Sequence, residues 1–169
     1  MLFRSIQWML TDNLEFNASM ARLDAQISKD ATLFPRSQYP FTVLKGTTLP
    51  VSPDFKANLA LQYNVPVQWF GADPYLRIDY SYTGESYSSI GSEAVIADNA
   101  PSRQDNYMLV DLGMGLDAEG WSAQFYIDNL LDERAEQFFN NRWGSRRLSI
   151  NAPRSAGVSF RKNFRSEEH

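Results

Sequence analysis

Apolar and polar residues alternate one for one through most of this chain. Period two is the mark of a β-strand whose two faces meet different surroundings. The clearest case spans residues 55–65, where Phe55, Ala57, Leu59, Leu61, Tyr63 and Val65 share one face and Lys56, Asn58, Gln62 and Asn64 the other. Leu76, Ile78, Tyr80 and Tyr82 oppose Arg77, Asp79, Ser81 and Thr83 in the same way. So do Met108, Val110, Leu112, Met114 and Leu116 against Asp111, Gly113, Gly115 and Asp117, and Trp121, Ala123, Phe125 and Ile127 against Ser122, Gln124 and Asp128. Leu14, Phe16, Ala18 and Met20 alternate with Glu15, Asn17 and Ser19 upstream, after a weaker strand over residues 2–10. A last strand carries Val158, Phe160 and Phe164 on one face, with Lys162 among them. The pattern predicts about seven strands.

The connections fall into two alternating classes. Short ones lie at Thr11-Asp12-Asn13, residues 68–74 and Ala118-Glu119-Gly120; long ones run over residues 28–53, 84–106 and 132–152. Structureless loops of about 20 residues are uncommon in compact domains. Alternating with tight turns, they are the habit of a transmembrane β-barrel with short turns at one rim and elaborated loops at the other. The expected fold is therefore all-β: an antiparallel up-and-down meander, curved and open on one side, with its aliphatic face convex. Trp8, Trp69, Phe70, Tyr75, Trp121 and Phe164 fall near the short-turn ends, and Tyr80, Tyr82, Tyr87 and Tyr107 nearer the long loops. Two such belts suit amphipathic rings at two membrane interfaces. Parity adds an expectation. Bacterial single-chain barrels have even strand numbers from about eight upward, and an open edge in a bilayer leaves backbone groups without partners. About seven strands are thus expected to be the last part of a larger barrel.

Composition changes the picture little. The chain has 169 residues, 43% hydrophobic and 14% aromatic, with net charge −4 and no cysteine. Mild acidity argues against a nucleic-acid partner, and the lack of cysteine excludes disulfides and thiolate metal sites. No apolar run approaches the ~18 residues of a membrane-spanning helix. A mean hydropathy of −0.41 is compatible with a barrel, whose strands turn every second residue to a polar lumen. Residues 1–10 are broken by Arg4, Ser5 and Gln7 and lead to no small-residue cleavage site, unlike a secretory signal. An enzyme is not expected. The single histidine, His169, sits at the extreme terminus, so no Ser-His-Asp base is available. There is no His/Cys metal cluster and no cofactor signature, and Gly113-Met114-Gly115 lies within a strand rather than before a helix.

Four stretches resemble TonB-dependent outer-membrane receptors. The segment Ser5-Ile6-Gln7-Trp8-Met9-Leu10-Thr11-Asp12-Asn13-Leu14-Glu15-Phe16, running on to Leu23-Asp24-Ala25, is similar to a strand-turn-strand late in that family's barrel. Leu49-Pro50-Val51-Ser52-Pro53 leading into Phe55 resembles the next hairpin. Trp121 through Asn129-Leu130-Leu131-Asp132 resembles the penultimate strand, and Pro153-Arg154-Ser155-Ala156-Gly157 with Phe164 the closing one. The resemblance implies that residues 1–164 are the last six or seven strands of a barrel of about 22 strands around a plug, followed by a polar tail, residues 165–169. It further implies energised uptake of a scarce nutrient of the siderophore-iron, cobalamin or oligosaccharide class in the bacterial outer membrane. TonB would be engaged through an N-terminal region absent here, and the piece alone would be inactive. The implied partners are outer-membrane lipid and lipopolysaccharide, the barrel-assembly machinery, for which Phe164 is the terminal aromatic, and the transported small molecule.

Candidate ligand contacts fall in the third long connection. Phe138, Phe139 and Trp143 offer stacking surfaces, and Arg142, Arg146 and Arg147 offer forks for an anion. Their bland alternative is aromatic packing within the loop and arginines on outer-leaflet phosphates. Phe34, Tyr39 and Phe41 in the first long connection are weaker candidates. Lys56, Arg77, Asp79, Asp111 and Asp128 should point to the lumen and meet the plug. Two other readings stay open: a small passive outer-membrane barrel, and a soluble lipocalin-like ligand-binding barrel, since alternation reads the same with the apolar side in or out. Arginine at Leu59 or Leu112 is expected to destabilise the inserted full receptor by ~2–4 kcal/mol, measured by urea titration in lipid vesicles. No loss at either position would place both residues away from lipid.

Overall fold

The computed structural model describes residues 1–33, 36, 41–90, 103–140 and 147–163. Seven strands form one antiparallel sheet: β1 (Leu2–Thr11), β2 (Leu14–Arg22), β5 (Phe55–Asn64), β6 (Asp73–Thr83), β9 (Tyr107–Ala118), β10 (Trp121–Asp128) and β13 (Ser155–Lys162). Their spatial order is their chain order, so the sheet is a pure meander. The outermost strands, β1 and β13, pair on one side only among the described residues. Short turns fold the chain back after β1, β5 and β9. The second is tightest at its tip, where Trp69 and Ala72 bridge across Phe70 (φ 53°) and Gly71 (φ 72°). Positive φ at both central residues makes a primed turn, whose twist matches the flanking strands.

The register turns sequence alternation into two continuous surfaces. Trp8, Phe16, Leu61, Ile78, Leu112, Ile127 and Ala156 are successive cross-strand partners, one from each strand. One residue along, on the opposite face, Glu15, Gln62, Arg77, Gly113, Tyr126 and Gly157 are aligned in the same way. Neither face is covered. Leu61 is 37% exposed, Ile78 41% and Phe160 66%. Among the described residues the buried hydrophobic side chains are Val43, Ala72 and Ala135, none of them on the apolar face of the sheet. The chain exposes 12900 Å², whereas a compact monomer of its mass would expose roughly 8,500 Å². Leu61, Ile78 and Val110 converge on no interior, which removes the architecture of a self-contained lipocalin-like barrel. A cleft of about 570 Å³, lined by residues of β1, β2, β5, β6 and β9 that include the polar Gln7, Asn17, Asn58, Arg77 and Asp111, lies on the polar side. The sheet is hollow there, so its aliphatic face is the convex one.

Each long connection carries a two-stranded ribbon, where the alternation predicted no regular structure. These are β3 (Ala31–Leu33) with β4 (Phe41–Val43), β7 (Ser86–Tyr87) with β8 (Arg103–Gln104), and β11 (Glu136–Asn140) with β12 (Arg147–Ile150). With two to five residues per strand, they are too short for period two to register. Tyr75 also differs from expectation. Alternation with Leu76 puts it on the polar face, where its ring covers Gly115 of β9 rather than joining an interface belt. Tyr126 covers Gly157 of β13 in the same fashion. A methyl group added at Gly115 would lie 2.6 Å from Cε1 of Tyr75, and one at Gly157 2.6 Å from Cζ of Tyr126. Both glycines are seats for a neighbouring ring, which hides backbone that glycine alone leaves open. Gly157→Val should therefore cost about 1–3 kcal/mol by overpacking. The added substitution Tyr126→Ala should return part of that loss, read from urea midpoints of the receptor carrying this chain.

Candidate functional site

The polar wall carries a mesh of side-chain hydrogen bonds spread over four strands, β1, β2, β5 and β6. Alternation brings Arg77 and Asp79 onto one face of β6, two residues apart, and their side chains form a two-point pair with Nε–Oδ2 and Nη2–Oδ1 both 2.7 Å. Arg77 also donates to Gln62 Oε1 across the strand pair at 3.4 Å, and Gln62 donates to Asn64 at 3.0 Å. Glu15 accepts from Gln7 at 2.7 Å and from Asn17 at 2.9 Å, and Asn58 donates to Ser19 Oγ at 3.5 Å. The Arg77 and Asp79 side chains are 41% and 38% exposed, and ion pairs so open to water add at most about 1 kcal/mol. What the mesh does achieve is orientation: it holds amide and guanidinium groups outward around the cleft.

By register Lys56, Arg77, Asp79, Asp111 and Asp128 share one face of the sheet, the face of Gln62 and Glu15. Arg77, Asp79 and Asp111 line the cleft, and Asp79 and Asp111 are direct cross-strand partners. Lys56 is exposed near the long-connection end of β5. Asp128, at the end of β10, accepts from Ser155 Oγ at 3.3 Å. Asp111 spends one carboxylate oxygen on the main-chain N–H of Asn129, at 2.7 Å. Among the described residues no group of three or more His, Cys, Asp or Glu is placed to hold a metal ion.

Above β10 the chain is knotted by asparagines that sequence reasoning did not single out. Asn129, in the left-handed region at φ 51°, is 4% exposed. Its side chain donates to the carbonyls of Glu133 and Ala152, both at 2.9 Å, and accepts from the Glu133 N–H at 2.8 Å. Asn151 repeats the arrangement, accepting from the Ala135 N–H at 2.8 Å and donating to the Glu133 carbonyl at 2.9 Å. Asp132 closes the knot by accepting from the Arg154 N–H at 3.0 Å and pairing with Arg134 at 3.1 Å. The one available signal was the Asn129-Leu130-Leu131-Asp132 string: two residues tolerant of positive φ three apart after a strand.

The ribbon β11–β12 stands on this knot. Phe138 pairs with Ser149, Phe139 with Leu148 and Asn140 with Arg147. Successive strand residues face opposite ways, so Phe138 and Arg147 share one face while Phe139 and Leu148 share the other. The ribbon is tied to its neighbours by Phe139 N–H to Ser88 Oγ at 2.8 Å and Gln137 to the Tyr107 hydroxyl at 3.4 Å. The first and second long connections are joined in turn by Val51 N–H to the Tyr87 carbonyl at 2.7 Å. Arg142, Trp143, Arg146 and the terminal aromatic Phe164 lie outside the described residues, as do Phe34 and Tyr39.

Comparison with known proteins agrees with this geometry. The family described as TonB dependent receptor-like, beta-barrel, matches residues 5–130. The fold superposes on the siderophore receptor PiuA from Acinetobacter baumannii with a TM-score of 0.68 and 20% identity, over 91% of this chain and 20% of that one. It superposes on the ferric yersiniabactin uptake receptor FyuA from Yersinia pestis with a TM-score of 0.64 and 16% identity, over 94% of this chain and 22% of that one. The chain thus spans about a fifth of the length of either receptor. No curated protein sequence matches it significantly.

The knot has a pH signature. The Arg154 N–H, and then the Arg134 guanidinium, hold the Asp132 carboxyl below its ordinary range. A folded-state pKa below the unfolded value stabilises fully above the unfolded pKa, about 4, and the contribution is lost as pH falls through the folded one. Asp132→Asn keeps a residue that tolerates positive φ but removes the charge. Its melting temperature should lie below wild type by a constant gap from pH 7 to about pH 5, and the gap should close on further acidification. A gap independent of pH down to about 3 would show that the charge contributes nothing.

Proposed function

Because the chain belongs to the TonB-dependent receptor β-barrel family, we propose that it forms the closing wall of an outer-membrane receptor that imports a scarce nutrient by active transport. The observation that carries this reading is the unbroken apolar row on the convex face, set back to back with a polar hollow. Strands of 8 to 12 residues match the ~9–11 that a tilted strand needs to cross a bilayer. The apolar row then meets lipid hydrocarbon, which rewards the exposure that water would penalise. On the concave side Lys56, Arg77, Asp79, Asp111 and Asp128 face the plug, and residues 1–164 supply six or seven of about 22 strands. Lipopolysaccharide and the barrel-assembly machinery are partners at the outer leaflet and during insertion, with Phe164 as the assembly signal. TonB acts through a plug-side segment outside this chain.

The nutrient is of the siderophore-iron class. One solved neighbour is named a siderophore receptor and the other a ferric yersiniabactin uptake receptor, and the third long connection carries groups suited to an anionic chelate bearing flat donor groups. Phe138 and Arg147 share a ribbon face and offer a ring and a guanidinium to one ligand, with Arg142, Trp143 and Arg146 in the same connection. The experiment is ferric-siderophore binding and uptake by iron-starved cells expressing the full receptor. The double variant Phe138→Ala with Arg147→Ala should weaken binding by about ten-fold or more, the scale of one lost stacking contact and one lost charged hydrogen bond, at unchanged surface level. Uptake should stop when TonB is deleted. Uptake that continues without TonB would instead identify a passive barrel, and failure to bind any ferric siderophore would remove the iron class.

A further inference from the structure

We propose that Asp111 is a positioning residue for the external ribbon β11–β12, acting as hydrogen-bond acceptor for the main chain at the ribbon's base. By alternation Asp111 belongs to the polar wall, yet its carboxylate turns toward the neighbouring strand and takes the Asn129 N–H at 2.7 Å. That amide needs a partner of this kind. The left-handed turn at Asn129 takes the chain out of the β9–β10 ladder, whose last paired residues are Ile127 and Leu112. Asn129 is almost fully buried, and an unmet buried N–H is expensive. The next amide, Leu130 N–H, is still held by β9, through the Val110 carbonyl at 2.7 Å. Two successive residues of β9 therefore grip two successive amides beyond β10, one through its main chain and one through its side chain.

The neighbouring carboxylate explains why Asp111 is available. Asp79 lies directly across from it, but Arg77 engages Asp79 at two points. With Asn129 fixed, its side chain is aimed at Glu133 and Ala152, the two ends of the segment that enters and leaves the ribbon. A residue on the lumen wall thereby sets where Phe138 and Arg147 stand. Only the bearing on ligand contact rests on the transport reading above; the clasp itself does not.

The test separates acceptance of a hydrogen bond from negative charge. Asp111→Asn keeps an acceptor oxygen in nearly the same place, whereas Asp111→Ala removes it. Hydrogen exchange is followed in the full receptor in detergent, without ligand, at the Asn129, Glu133 and Ala135 amides. Asp111→Ala should speed exchange there about ten-fold or more while β1 and β2 stay protected, and Asp111→Asn should exchange within about three-fold of wild type. Equal acceleration in both variants, or none in Asp111→Ala, overturns the proposal. Siderophore binding is measured in parallel: a loosened clasp with unchanged binding would sustain the positioning role and count against the ligand site alone.

Discussion

Main-chain pairing between neighbouring strands is the interaction on which everything else in this protein depends. The sheet has no second layer to pack against, and its buried hydrophobic residues are few and small among the described residues. Side-chain burial of the ordinary kind therefore cannot hold it together. What remains is the ladder, and each ladder bond also fixes which residues stand beside one another. Alternation along a strand is a local property. Only an unbroken register across seven strands converts it into an apolar face and a polar one. In the membrane setting proposed above, the convex face draws stabilisation from the medium rather than from the protein, because an apolar row gains free energy in hydrocarbon and loses it in water.

The wall and the outer connections are built on different principles. On the wall, side-chain contacts are exposed and individually weak; they direct groups toward whatever fills the hollow and add little stability. At the base of the third connection the side chains of Asn129 and Asn151 are buried, and each has partners. Asn129 and Asn151 replace the ladder where the ladder ends, meeting carbonyls and amides that would otherwise be stranded in a dry place. The third connection is thus anchored at its root, next to the strand ends. Ties between connections, such as Phe139 to Ser88 and Val51 to Tyr87, extend that order outward.

Much of this was legible in the chain itself. Residues 55–65, 76–83 and 108–117 alternate so cleanly that both strand and face follow, and the turn positions follow from the gaps between them. The rest was hidden for physical reasons. Ribbons of two to five residues per strand are shorter than the period needs to show itself. Tyr75 reads as a membrane-interface ring by type and place, but its face is set by parity with Leu76, and its packing by a glycine 40 residues away. The clasp was hidden because Asn129, Asn151 and Asp111 are distant in sequence, and asparagine is as common in open turns as in buried ones. For the proposed ligand face, pairing of Phe138 with Ser149 and of Asn140 with Arg147 separates two phenylalanines that adjacency in sequence had grouped together.

The ring of Tyr126 lying on Gly157 bears on how the final strand finds its place. A slip of β13 by one residue would be rejected at once, since Val158 and Phe160 would turn inward. A slip by two would not, because every side chain would keep its proper side and most of the ladder would re-form. The tyrosine tells these apart: shifted by two, it would meet Ser155 or Ser159, whose side chains occupy the space the ring requires. One aromatic–glycine pair thus acts as a vernier, detecting the error to which a two-sided pattern is blind.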